Sequence, residues 1–162
     1  MKSLFAIAAA AIVLLASPAH ADPKATIAAL DARLAKIGEP KQEGTDKAGD
    51  QTVPGLYFGA RKINNNYDVV DEIKKSSGGA TATVFVKAGD EFVRVSTNVL
   101  TPEGKRGVGT KLARAKAYDA VSKGEQFCGV VDVLGTMFDS CYNPIKDKGG
   151  KIIGATYIGF KK

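Results

Sequence analysis

Ile27, Leu30, Leu34 and Ile37 recur at three- and four-residue intervals in an otherwise polar stretch. That period predicts an amphipathic helix over residues 24–37, closed by Gly38 and then Pro40. Residues 41–51 are polar, with Gly44 and Gly49 and no period, and are expected to form a loop or linker. The short apolar run at 53–60 suits a strand or an irregular packed segment. Val69, Val70 and Ile73 suit a second helix, with Asn65 or Asn66 as its cap and Gly78-Gly79 as its stop. From there the pattern turns to strands. TATVFV and EFVRVSTNV are β-branched and aromatic runs joined by a hairpin at residues 87–90. A Gly-rich loop, TPEGKRGVGT, follows. Residues 112–123 read as a helix burying Leu112, Ala115, Tyr118 and Val121. Three further strands are expected at 126–134, 137–145 and 152–160. Short turns between neighbours make the sheet antiparallel, with helices packed on it: an α+β layer fold with five strands in the sheet.

The first residues stand apart from this pattern. Lys2 precedes an apolar run of about 13 residues, too short for a bilayer core that needs roughly 20. Ser17-Pro18 breaks the run, and Ala19-His20-Ala21 is a small-x-small site. Residues 1–21 are therefore expected to be a signal peptide cleaved after Ala21. The mature chain would be periplasmic or secreted, with no membrane span. Residues 22–52 would be the N-terminal helix and linker, and residues 53–162 the main domain.

Composition narrows the chemistry. The 162-residue chain is 44% hydrophobic and 25% charged, as folded domains are. Its one histidine is His20, inside the leader. A mature chain without histidine excludes Ser-His-Asp and Cys-His nucleophiles, imidazole zinc sites and axial-His haem. The acids match no calcium-loop spacing, so neither a metal nor a cofactor is expected. Net charge is +6 with the leader included. The basic residues are scattered, and no nucleic-acid motif accompanies them. Nothing at a recognisable spacing supports hydrolysis, and the chain is not expected to be an enzyme.

Cys128 and Cys141 are the only two cysteines, and in an exported chain a disulfide is the default. If Leu134-Gly135 is a two-residue turn, Val133 opposes Thr136. Counting outward, Cys128 then opposes Cys141 at a non-hydrogen-bonded pair, where Cα atoms approach to about 4.5 Å. The bridge would add at most about 3 kcal/mol, less because the hairpin already holds its ends together. The same register gives Phe127, Gly129, Val131, Phe138, Ser140 and Tyr142 one face. That face suits a ligand floor or simple packing under a helix.

Arg94 lies mid-strand, where a charge is costly to bury unless paired. Its planar fork suits a carboxylate, or an internal acid such as Asp132. Ser96 would share its face and Thr97 the opposite one. Lys105 and Arg106 precede Gly107-Val108-Gly109, where backbone N–H groups can approach an anion, although turn chemistry explains the glycines equally well. Tyr118 and Tyr142 offer pocket walls with phenolic tips. The candidate ligand-binding residues are thus Arg94, Thr97, Arg106, Tyr118 and Tyr142.

Three segments carry a family likeness: YDVVDEIKKSSGGATATVF, DEFVRVSTNVLTPEGKRGVGT and AYDAVSKGEQFCGVVDVLGTMFDSCYNPIKDKGGKIIGATYIGF. In this order and at compact spacing they resemble the Cache family of extracellular sensor domains, in the variety described by two fused Cache profiles. The resemblance implies a PAS-like antiparallel sheet behind an N-terminal helix, with a small-molecule pocket on one face, and sensing rather than catalysis. Such domains usually sit between two membrane spans of a chemoreceptor or histidine kinase. This chain has neither a second span nor a signalling module, and looks like a free-standing form. The expected function is binding of a small anionic metabolite such as a short carboxylate. The alternative is an interaction subunit of a membrane receptor or histidine kinase, with no ligand of its own.

Overall fold

The computed structural model describes residues 21–162, so the expected leader lies outside the described residues apart from Ala21. Helix α1 spans Pro23–Ile37. Asp22 caps it by accepting from the backbone N–H groups of Lys24 and Ala25 at 2.9 and 3.2 Å, and Pro23 starts the first turn where no N–H is needed. Ile27, Leu30 and Leu34 are buried, as the spacing predicts.

Residues expected to be a linker instead form strand β1, Pro40–Ala48, paired antiparallel with β2, Gln51–Phe58. The strand is mostly exposed, which is why no apolar alternation marks it. Backbone pairing holds it, and the register shifts between Gln42 and Thr45, next to Gly44 at φ 61°. Gln42 pins β1 to the main sheet by donating to Lys87 O at 2.7 Å and Ile153 O at 3.1 Å. β3, Arg61–Lys62, completes a three-stranded sheet. The boundary expected after residue 52 thus falls inside a hydrogen-bonded hairpin, and α1 and β2 share one core with the main sheet.

Helix α2 spans Asp68–Ser76. Tyr67 occupies its N-cap position, and Asn66 serves one residue earlier by accepting from the Asp68 N–H at 3.1 Å. The main sheet comprises β4 (Thr81–Ala88), β5 (Glu91–Thr97), β6 (Phe127–Val133), β7 (Thr136–Lys146) and β8 (Ile152–Lys161). It is antiparallel throughout, in the order β5-β4-β8-β7-β6. Among the described residues no helix is long and apolar enough to cross a membrane.

The expected helix over 112–123 shortens to α3, Lys116–Ser122. Residues 109–112 give their main chain to the outer edge of β5 instead. Gly109 donates to Arg94 O, Arg94 to Thr110 O and Leu112 to Phe92 O, at 2.8 to 2.9 Å. Leu112, Ala117 and Val121 are buried there, whereas Ala115 is exposed and Tyr118 half-buried.

The hairpin register is as counted: Val133 opposes Thr136 and Cys128 opposes Cys141. The two cysteines are bonded, with Cα atoms 4.1 Å apart.

One face of the sheet buries α1, α2 and the small sheet. On that side Asp31 of α1 accepts from Asn143 Nδ2 at 2.6 Å and Thr156 Oγ1 at 2.7 Å. Burial pushes its carboxyl above the ordinary value of 3.8, and those two hydrogen bonds only partly oppose the shift. The raised value means that the folded state holds a proton the unfolded chain has released. The stabilisation is complete below the unfolded value and is lost as pH rises through the folded one. Asp31→Asn is expected to be at least as stable as the parent at pH 7, with the difference shrinking on acidification. Urea melts at several pH values between 4 and 7 check this, and a pH-independent loss of stability would refute it.

Candidate ligand pocket

The opposite face carries a cross-strand row: Thr97 opposes Thr83, then come Tyr157, Tyr142 and Phe127 on the next three strands. Tyr157 and Tyr142 are buried, with ring centroids 4.9 Å apart. Over this floor, between it and the 111–117 segment, lies a pocket of about 590 Å³. That size lies within the range of small-molecule sites. Tyr142 and Phe127 form its floor, Arg94 closes one end, and residues 130–134 run along the other. Lys111 and Lys116 also line it.

Arg94 is 3% exposed and enters no ion pair among the described residues. Its Nη1 donates to Thr110 Oγ1 at 3.0 Å and Lys111 O at 3.3 Å. The guanidinium lies 4.8 Å from the Phe85 ring centroid, a cation–π contact. Its Nε is buried without a hydrogen-bond partner. Burial holds the group below its ordinary pKa. Asp132 does not reach it, because that side chain is exposed and accepts from the Gly135 N–H at 3.0 Å. Tyr142 is likewise held well above the usual phenol value by burial, and so presents a neutral hydroxyl.

The structure thus brings Arg94 and Tyr142 to one pocket and places the other three candidates elsewhere. Regular alternation would set Thr97 opposite Arg94 and Ser96 beside it. A register shift pairs Val84 with Ser96 but Phe85 with Arg94, leaving Val95 as the extra residue. Ser96 consequently turns away and donates to Asn66 O at 2.6 Å. Thr97 moves onto the pocket face, where Thr83 Oγ1 lies 2.6 Å from its hydroxyl and the Val99 N–H donates to it at 3.0 Å; it is outside the pocket lining. Tyr118 donates to Asp90 O at 2.5 Å and packs edge-on against Phe92, also away from the pocket. Arg106 grips Asp71 through both nitrogens at 2.8 Å, donates to Thr97 O at 2.9 Å and lies over Tyr67. The Gly-rich loop is therefore a clasp on α2.

Lys111 and Lys116 went unseen in the sequence, where they are two among many scattered lysines. Since Arg106 is committed to Asp71, Arg106→Ala is expected to leave ligand affinity unchanged and to cost about 1 kcal/mol, the pair being partly solvated. Paired calorimetric titrations and urea melts test this. A large loss of affinity would return Arg106 to the site.

A five-stranded antiparallel sheet with α1 and α2 on one face, and α3 beside a ligand-sized pocket on the other, has the PAS-like form. The sequence matches the Cache 3/Cache 2 fusion domain over residues 17–162, and the chain belongs to that family. It is a Cache sensor domain. Among solved structures it is similar to the sensor domain of DcuS from E. coli, at 20% identity and a TM-score of 0.42, covering 57% of this chain and 63% of that one. Among curated proteins no match is found.

Proposed function

We propose that this Cache domain is exported and reversibly binds a small anionic metabolite, a short carboxylate, with Arg94 as its anchor. The observation that carries the reading is a buried guanidinium lining a pocket with no counter-ion among the described residues. An unpaired buried charge costs several kcal/mol, and a ligand carboxylate supplies the missing partner. Lys111 and Lys116 add positive potential and draw anions in. Tyr142 and Phe127 are the apolar floor. The role is recognition, and its output is received by a membrane receptor or kinase. The Cys128–Cys141 bridge accords with an oxidising compartment beyond the inner membrane.

Titration calorimetry of the mature chain against mono-, di- and tricarboxylates tests this reading. At least one acid is expected to bind, more weakly as salt is raised. Silence across the panel at millimolar concentration sinks it.

A further inference from the structure

Arg94 has little polar company in the pocket. Lys111 and Lys116 are exposed to solvent. Asp132 is the one acid of the lining among the described residues, and it does not face inward. Its carboxylate accepts from the Gly135 N–H at 3.0 Å, and the register sets its side chain with Cys128 and Met137 on the far face of the hairpin. The Tyr142 hydroxyl is kept neutral by burial. Among the described residues no serine, threonine, asparagine or glutamine lines the pocket, and its remaining walls are apolar.

One wall residue is held there at a cost. Leu134 opens the β6–β7 turn at φ 52°, a left-handed position that asparagine or glycine fills more readily. Its side chain reaches the Gly-rich loop, where Cδ1 stands 2.8 Å from the point that a Cβ on Gly107 would occupy. The same loop carries Thr110, whose hydroxyl accepts from Arg94 Nη1 at 3.0 Å and donates to Gly107 O at 2.6 Å. The apolar cover and the buried cation thus meet on one loop. Backbone strain of this kind clusters at ligand clamps, where the surroundings impose it.

From this we infer that the ligand is a monocarboxylate with an apolar tail of several carbons and no ammonium group. The inference rests on the anion site proposed above. The carboxylate meets Arg94, and the tail lies against the wall that Leu112, Val131 and Leu134 complete. Acetate would leave most of the volume of about 590 Å³ unfilled. An α-ammonium would be buried with no acid facing it, and a second carboxylate would have to leave water for an apolar wall. The exposed lysines offer that second carboxylate only a screened partner.

Calorimetric titration of the mature chain with a matched set of probes tests this: hexanoate, acetate, 2-aminohexanoate, hexanedioate and hexanamide. Hexanoate is expected to bind at least about tenfold tighter than acetate. Each buried methylene gives about fourfold, and ordering the tail returns part of it. The amino acid and the diacid should each bind at least about tenfold more weakly than hexanoate. Leu134→Asn should melt no lower than the parent, since asparagine suits the turn. It should bind hexanoate about fourfold more weakly, with acetate unchanged.

Acetate, 2-aminohexanoate or hexanedioate binding as tightly as hexanoate overturns the inference and leaves the anion site standing. A Leu134→Asn variant that keeps the parent's preference for hexanoate over acetate also overturns it, by taking Leu134 out of the wall. Hexanamide binding as tightly as hexanoate, in the parent and in Arg94→Met alike, removes the anion anchor itself. Silence of all five probes defeats the inference; acids of the wider panel that still bind would keep the anion site.

Discussion

Arg94→Met is expected to abolish carboxylate binding while melting no lower than the parent. Methionine keeps the length of the stem and removes the charge. Truncating one member of a buried, hydrogen-bonded charge pair costs a complex about 2–5 kcal/mol, so affinity should fall at least thirtyfold. The free protein loses something different. Its guanidinium contributes a cation–π contact to Phe85 and two hydrogen bonds, yet carries the desolvation cost of an unpaired charge. Replacing buried charge with apolar volume is commonly neutral or stabilising by about 1 kcal/mol or more. Binding residues held at a cost to stability show this trade-off. Calorimetry and thermal melts on the same preparation decide the matter. A variant that loses several degrees and still binds carboxylates would make Arg94 a structural post, and the ligand reading would lose its support.

Gly159→Ala is expected to destabilise the fold by about 3 kcal/mol, at the upper end of the usual cost of overpacking. A Cβ at this position would stand 2.0 Å from the Tyr157 hydroxyl oxygen and 2.7 Å from its Cζ. The Tyr157 ring lies along its own strand over the glycine, in the space a side chain would fill. It cannot retreat easily: its hydroxyl is 3.1 Å from Thr81 Oγ1 and its ring lies against Tyr142. Displacing it tilts the pocket floor, so affinity should drop together with stability. A double-mutant cycle isolates the cause. In a Tyr157→Ala background, already weakened by the lost ring, adding Gly159→Ala should cost well under half as much. Additive losses would mean that the glycine serves its backbone rather than the tyrosine.

The elements best read from sequence are those whose pattern is local. The α1 stripe of Ile27, Leu30 and Leu34, the β4–β5 hairpin and the Cys128–Cys141 register follow from period, turn chemistry and counting. β1 was illegible because an outer strand held by backbone pairing needs no apolar alternation. Leu112 read as the start of a helix behind a Gly-rich loop, but the exposed edge of β5 competes for the hydrogen bonds of residues 109–112 and wins.

The site divides in the same way. Arg94 announced itself as a charge inside an apolar strand, and Tyr142 as part of an aromatic face. Arg106 looked equally suitable, and only the packing of α2 showed Asp71 already filling its fork. Thr97 and Ser96 exchanged faces through one extra residue at Val95, which period-two reasoning cannot foresee.

The amino-acid order alone determined the fold class, the pairing of the cysteines and the presence of one suspect guanidinium, because each rests on neighbours within a few residues or on a single hairpin count. Folding in three dimensions decided which cations remained without an acid and which lysines gathered at the pocket. Those outcomes depend on which distant groups meet, and a charge is free or satisfied only once every neighbour has been placed.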